Sequence, residues 1–125
     1  MAPGWSGILL PGLILAACAS PPAPYFDIAA RKPAAEGDQV QLTGWLQIDS
    51  QFRLYPVQRH LGETGKSTCI SGVTLSLAGI VPPEFNGKLM AVSGFLHRAG
   101  SVGAGAVRDE CGSGVVLLAT EVAVP

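Results

Sequence analysis

The chain has 125 residues, which is room for one domain of ordinary size and none for a second. Hydrophobic residues make up 48% and charged residues 14%, which excludes disorder throughout. The formal net charge is −1 and the eight Lys and Arg are scattered, so no basic stripe exists to attract nucleic acid or an acidic membrane.

Residues Ile8 to Ala17 form an apolar run of ten residues broken by Pro11 and Gly12. A bilayer-spanning helix needs roughly twenty apolar residues, so this run is too short to span and has the length of a signal-peptide core. Met1 to Gly7 holds no Lys or Arg. The run ends in Leu15-Ala16-Ala17-Cys18, which resembles the bacterial lipobox: an aliphatic residue and two small ones before a cysteine. The resemblance implies cleavage before Cys18, attachment of diacylglycerol to its thiol, and anchoring to a membrane outside the cytoplasm. Each buried methylene contributes about 0.8 kcal/mol, and two acyl chains already hold a protein stably. Ala19 rather than Asp follows the cysteine, and by resemblance to Gram-negative lipoproteins that implies the outer membrane, facing the periplasm. Two other readings stay open: ordinary cleavage after Ala19, releasing a soluble protein, and a core element with a buried cysteine. The expected organisation is a signal peptide over residues 1–17, a lipid-anchored Pro/Ala-rich tether over 18–35 and one folded domain over 36–125.

Ala34 to Asp38 reads as a turn into the first strand. Val40 to Ile48 alternates with a period of two, with Val40, Leu42, Leu46 and Ile48 on one face and Gln41, Thr43, Trp45 and Gln47 on the other. Asp49-Ser50-Gln51 is a short turn into a second strand, Phe52 to Val57, completing a hairpin. After a polar loop, Cys69 to Leu77 is apolar and β-branched enough for a third strand. Val81 to Gly87 contains the breakers Pro-Pro and Asn-Gly. Lys88 to Arg98 is the fourth strand, a glycine-rich loop from Gly100 to Gly114 follows, and Val115 to Val124 is the fifth. No stretch has a convincing helical period.

Leu42-Thr43-Gly44-Trp45-Leu46-Gln47 and Val92-Ser93-Gly94-Phe95-Leu96-His97 match type for type, as two neighbouring strands with a common packing problem would. A glycine inside a strand marks a bulge, a sharp coil or a close backbone approach. Five short strands, a Gly in the first and fourth, and a long loop before the last resemble an OB-fold. Gly87 to Leu96 is similar to the fourth strand of many such domains. The resemblance implies an all-β, five-stranded antiparallel barrel over residues 36–125, with the sheet face of the second strand as a ligand surface. A small antiparallel sandwich is the alternative.

The mature chain keeps Cys69 and Cys111, and an even pair in an oxidising compartment is normally a disulfide. A redox or metal-binding pair would need partners, yet there is no Cys-x-x-Cys, and His60 and His97 sit at no ligand spacing. Leu61 to Thr68 superficially resembles a phosphate-binding P-loop but has His60 where the pattern needs its first Gly, and a strand instead of a helix follows. Asp109 and Glu110 are adjacent in a loop, where neighbouring side chains point apart and are solvated. Neither histidine has an identifiable nucleophile with an orienting acid. The sequence therefore predicts no enzyme, no metal and no cofactor. An enzyme would require a pocket where His60 or His97 meets an acid.

Trp45 and Phe95 fall on the polar side of their strands, and three outcomes are open for them. Tyr25 to Ile28 covers them, a bulge turns them into the core, or they form an open patch. Arg53 and Tyr55 share a face of the second strand, where solvated side chains are the more frequent outcome. Trp45, Arg53, Tyr55 and Phe95 are thus the candidate contact residues. The expected role is a non-enzymatic exported lipoprotein that binds an envelope protein or a small ligand. A structural or assembly role in an envelope complex is the alternative, and nucleic acid is excluded as a partner.

Overall fold

A computed structural model describes residues 23–32, 35–75 and 81–125. The leader and Cys18 lie outside the described residues. Five strands, β1 (Asp38–Ile48), β2 (Phe52–Tyr55), β3 (Ile70–Thr74), β4 (Leu89–Arg98) and β5 (Val115–Ala123), close into a barrel in the order β1-β2-β3-β5-β4. A one-turn helix, α1 (Ile28–Arg31), precedes them, with the Asp27 carboxylate accepting from the Ala29 N–H to cap it. Single 3-10 turns lie at Gln58–His60, Pro83–Phe85 and Val102–Ala104. The architecture is compatible with a small OB-fold-like barrel, as expected from the strand pattern.

The expected antiparallel barrel requires one correction, because β3 and β5 pair in parallel. Closure forces this. Strands alternating in direction around a ring must be even in number, so a ring of five contains at least one parallel pair. The remaining pairs, β1 with β2 and β4, β2 with β3, and β4 with β5, are antiparallel.

The period-two alternation of β1 survives in three dimensions. Leu42 and Leu46 point inward and are buried, while Thr43, Trp45 and Gln47 face outward and are partly covered. β2 stops at Tyr55 rather than Val57, since Pro56 has no N–H to extend the ladder. Inward side chains from all five strands, among them Leu54, Ile70, Met90, Val92 and Leu117, fill the interior as expected for a barrel this narrow.

The folded unit also takes in residues expected to be tether. Phe26, Ile28 and Ala35 belong to the barrel's hydrophobic cluster, at 6%, 8% and 0% exposure. A Cβ on Gly44 would lie 2.7 Å from the Tyr55 carbonyl and 3.0 Å from Phe26 Cε1, so the missing side chain makes room for the Phe26 ring. Gly94 has a different reason. A Cβ there would lie 2.1 Å from the Leu118 carbonyl oxygen, where β4 crosses β5 closely beside a bulge. Across that irregularity the Thr120 hydroxyl donates to the Ser93 carbonyl. The two glycines of the repeated hexapeptide lie on paired strands, but each solves its own steric problem.

Candidate functional site

The structure brings Trp45, Arg53 and Tyr55 together and leaves Phe95 apart. Trp45 lies opposite Tyr55 across β1 and β2, and opposite Leu89 across β1 and β4. Phe95 pairs with Gln39, at the far end of the same β1–β4 ladder. Trp45 and Phe95 are both partly buried and do not meet. Neither is turned into the core, and Phe26 and Ile28 join the interior cluster instead.

Tyr55 and Arg53 face outward from β2 yet are buried, at 0% and 6% exposure. The expectation that solvent reaches them is therefore corrected. The loop between β2 and β3 folds back over this face and meets the loop between β4 and β5. Between these loops Gly65 N–H donates to the Glu110 carbonyl, Ser67 N–H to the Cys111 carbonyl and Ser67 Oγ to the Gly112 carbonyl. A disulfide joins Cys69 to Cys111, with Cα atoms 5.4 Å apart. Tyr55 packs against it, flanked by Trp45 and Leu61. The Cys111 N–H donates to Ser71 Oγ on β3 beneath, pinning the cover to the barrel. The outward face of β2 is occupied here by the chain itself.

Under this cover Arg53 is fully engaged. Its Nε donates to the Tyr55 hydroxyl at 3.0 Å, and Nη2 stands 2.9 Å from Asp49 Oδ2. Nη1 lies 3.8 Å from Glu110 Oε1. Burial disfavours the charge on Arg53, but the Tyr55 hydroxyl and the two carboxylates outweigh it and hold the guanidinium pKa above its ordinary value. The Tyr55 hydroxyl in turn donates to the Glu63 carbonyl. Gln51 pairs with the Arg108 backbone both ways, Nε2 to the carbonyl and N–H to Oε1, as a neighbouring strand would. The β1–β2 turn and the β4–β5 loop are thereby tied together. Asp109 and Glu110 do point apart but are not merely solvated. Asp109 accepts from the N–H groups of Gly112, Ser113 and Gly114, closing its own loop, while Glu110 turns to Arg53.

Each histidine meets a glutamate through Nδ1 at 3.0 Å, His60 with Glu63 and His97 with Glu36. Thr68 Oγ1 also donates to Glu63, and this bond, with nearby His60 and Lys66, lowers the Glu63 pKa. The His97 hydrogen bond and then the Arg98 N–H lower that of Glu36. His60 borders a cleft of about 270 Å³ that also includes Phe26, Ser67 and Thr68. Ser67 holds a positive φ of 58°, but its hydroxyl is committed to the Gly112 carbonyl. Among the described residues no hydroxyl or thiol donates to Nε2 of either histidine, and no group of three metal-binding side chains comes together.

A concavity of about 390 Å³ lies where the chain enters the barrel. Pro24, Tyr25, Trp45, Pro56, Val57 and Arg59 line it. The Tyr25 N–H donates to the Pro56 carbonyl, and its ring is 54% exposed. A second hollow of about 200 Å³ sits beside the β1–β2 turn, between Asp49, Gln51, Phe52, Thr74 and Val81. Of the candidate contact residues, Trp45 borders this groove of about 390 Å³. Sequence reasoning missed Pro56, Val57 and Arg59, which no pattern flags and which reach Trp45 only through the β1–β2 pairing.

Barrel and cover together define a small closed, mixed β-barrel with a disulfide-bonded lid over one face. Compared with known proteins, the chain matches no family model, no curated protein and no solved structure.

Proposed function

We propose that the chain is an exported lipoprotein, anchored through Cys18, whose barrel is a non-enzymatic binding module of the cell envelope. The lipobox-like Leu15 to Cys18 after a short apolar run supports the anchor. The observation that carries the export reading independently is the Cys69–Cys111 bond, because such cross-links persist in oxidising compartments and are rare in the cytosol. The outer membrane, with the barrel in the periplasm, is the location this reading takes.

The contact surface is the groove around Trp45, not the β2 face. Its volume of about 390 Å³ falls within the range of roughly 300–1,000 Å³ typical of ligand sites, and it combines aromatic walls with one cation, Arg59. An envelope protein or a small ligand is the partner. The alternative, a passive domain assembled beside a larger complex, draws support from the way residues 57–69 seal the face that OB-folds use for ligands.

Two experiments test these statements. Replacing Cys18 with Ser should move the protein from the membrane fraction to the soluble one; unchanged partitioning refutes the anchor. A photo-crosslinker at position 25, on the exposed ring of the groove, should capture a defined partner in cells. Capture from position 102, exposed on the β4–β5 loop, in place of position 25 supports the assembly role.

A further inference from the structure

The N-terminal segment joins the barrel much earlier than its Pro/Ala-rich composition implies. Tyr25 is tied to the Pro56 carbonyl and Phe26 is in the core, so the chain is fixed to the barrel by Tyr25, about seven residues after Cys18. A fully extended chain covers at most roughly 3.5 Å per residue, which limits that span to about 25 Å. A domain of this size has a radius of gyration near 13 Å, so the span is shorter than the barrel is wide. A lipid on Cys18 thus brings one side of the barrel to the membrane surface and keeps the opposite side away.

The side brought near is the one that carries the groove. Tyr25 and Trp45 line it with Pro24, Pro56 and Val57, and Arg59 stands exposed at its rim. Tyr and Trp rings favour the headgroup layer, where an apolar body and a polar tip are both satisfied, and an arginine there can keep its head in water. Among the described residues no acidic side chain lines the groove. With a net charge of −1 the whole chain is not drawn to a bilayer electrostatically. The anchor provides the affinity and the groove sets the orientation.

We propose that the Tyr25–Trp45–Arg59 groove is a membrane-docking surface, seated on the headgroup layer of the bilayer that holds Cys18. This deepens the reading above and rests on its lipid anchor. It narrows the small ligand of that groove to the lipid headgroups of the bilayer.

The sequence offers a built-in probe. Of two tryptophans, Trp5 precedes Cys18, so the processed chain keeps Trp45 alone. The acylated protein is reconstituted into phosphatidylethanolamine–phosphatidylglycerol vesicles containing a lipid with a nitroxide either at the headgroup or deep in the acyl chain. Headgroup-labelled lipid should quench Trp45 emission at least about twofold more than the deep label, as an interfacial ring requires. Iodide quenching from the aqueous side should fall on reconstitution. Tyr25→Ala with Arg59→Glu, both at exposed positions, should weaken the lipid quenching while sedimentation with vesicles persists. Acylated, vesicle-bound protein whose Trp45 emission ignores both labels overturns the docking and leaves the groove to a protein or small ligand. A mass without acyl groups overturns the anchor itself, and the docking with it.

Discussion

At Gly94 even one methyl group has nowhere to go. Its Cβ would meet the Leu118 carbonyl oxygen at 2.1 Å and Ala119 Cα at 2.7 Å, both backbone atoms that a rotamer change cannot move. Gly94→Ala should destabilise the barrel by about 1–3 kcal/mol or more, read as a lower urea midpoint, because overpacking forces backbone shifts. A midpoint equal to that of the parent would mean that β4 and β5 do not cross so closely. Titration is the second residue-scale test. Glu36 and Glu63 have pKa values below the ordinary 4.5, through hydrogen bonds from His97 and the Arg98 N–H and from Thr68 respectively. A carboxylate whose folded pKa is depressed stabilises the fold fully above its unfolded value and loses that contribution as pH falls through the folded one. Stability should therefore decline on acidification below about pH 4.5. The double variant Glu36→Gln, Glu63→Gln should follow a shallower acid limb, and an identical limb would assign the decline to other groups.

The cover and the N-terminal plug are the elements that depart most from a plain barrel. Cys69 and Cys111 are 42 residues apart, and closing a loop of that length in the unfolded chain corresponds to about 4 kcal/mol in the chain-entropy model. Replacing both with Ser should lower stability by about 2–5 kcal/mol and remove any effect of reductant on the melting temperature. If reductant acts equally on parent and variant, the bond does not contribute. Phe26→Ala should cost about 3 kcal/mol, since it empties the space that Gly44 leaves. Tyr25→Ala, one residue away on an exposed ring, should stay within about 0.5 kcal/mol. Equal midpoints for the two would show that residues before α1 do not plug the barrel. The cover explains why Arg53 and Tyr55 are buried where alternation alone leaves them solvated. Alternation identifies the side of β2 they occupy, but not that a loop rich in Gly and polar residues returns to cover it.

At the scale of the whole molecule, strand existence was legible and closure was not. Val40–Ile48 and Lys88–Arg98 announce themselves because water on one face and core on the other impose a period of two, and the observed strands differ by at most two residues at their starts. The hairpin at Asp49–Gln51 follows from local turn chemistry, and the cysteine pairing from having two thiols left over. Parallel pairing of β3 with β5 is a property of the ring, invisible in either segment alone. The groove belongs to the same category. Trp45 was legible as an outward aromatic, whereas Tyr25, Pro56 and Arg59 join it only through the β1–β2 register and the docking of Phe26. What the amino-acid order determined by itself was what depends on near neighbours: the strands, the turns and the phase of each side chain. Only tertiary structure decided which outward faces remain outside, because burial of Tyr55 and opening of the Trp45 groove depend on segments brought together from distant parts of the chain.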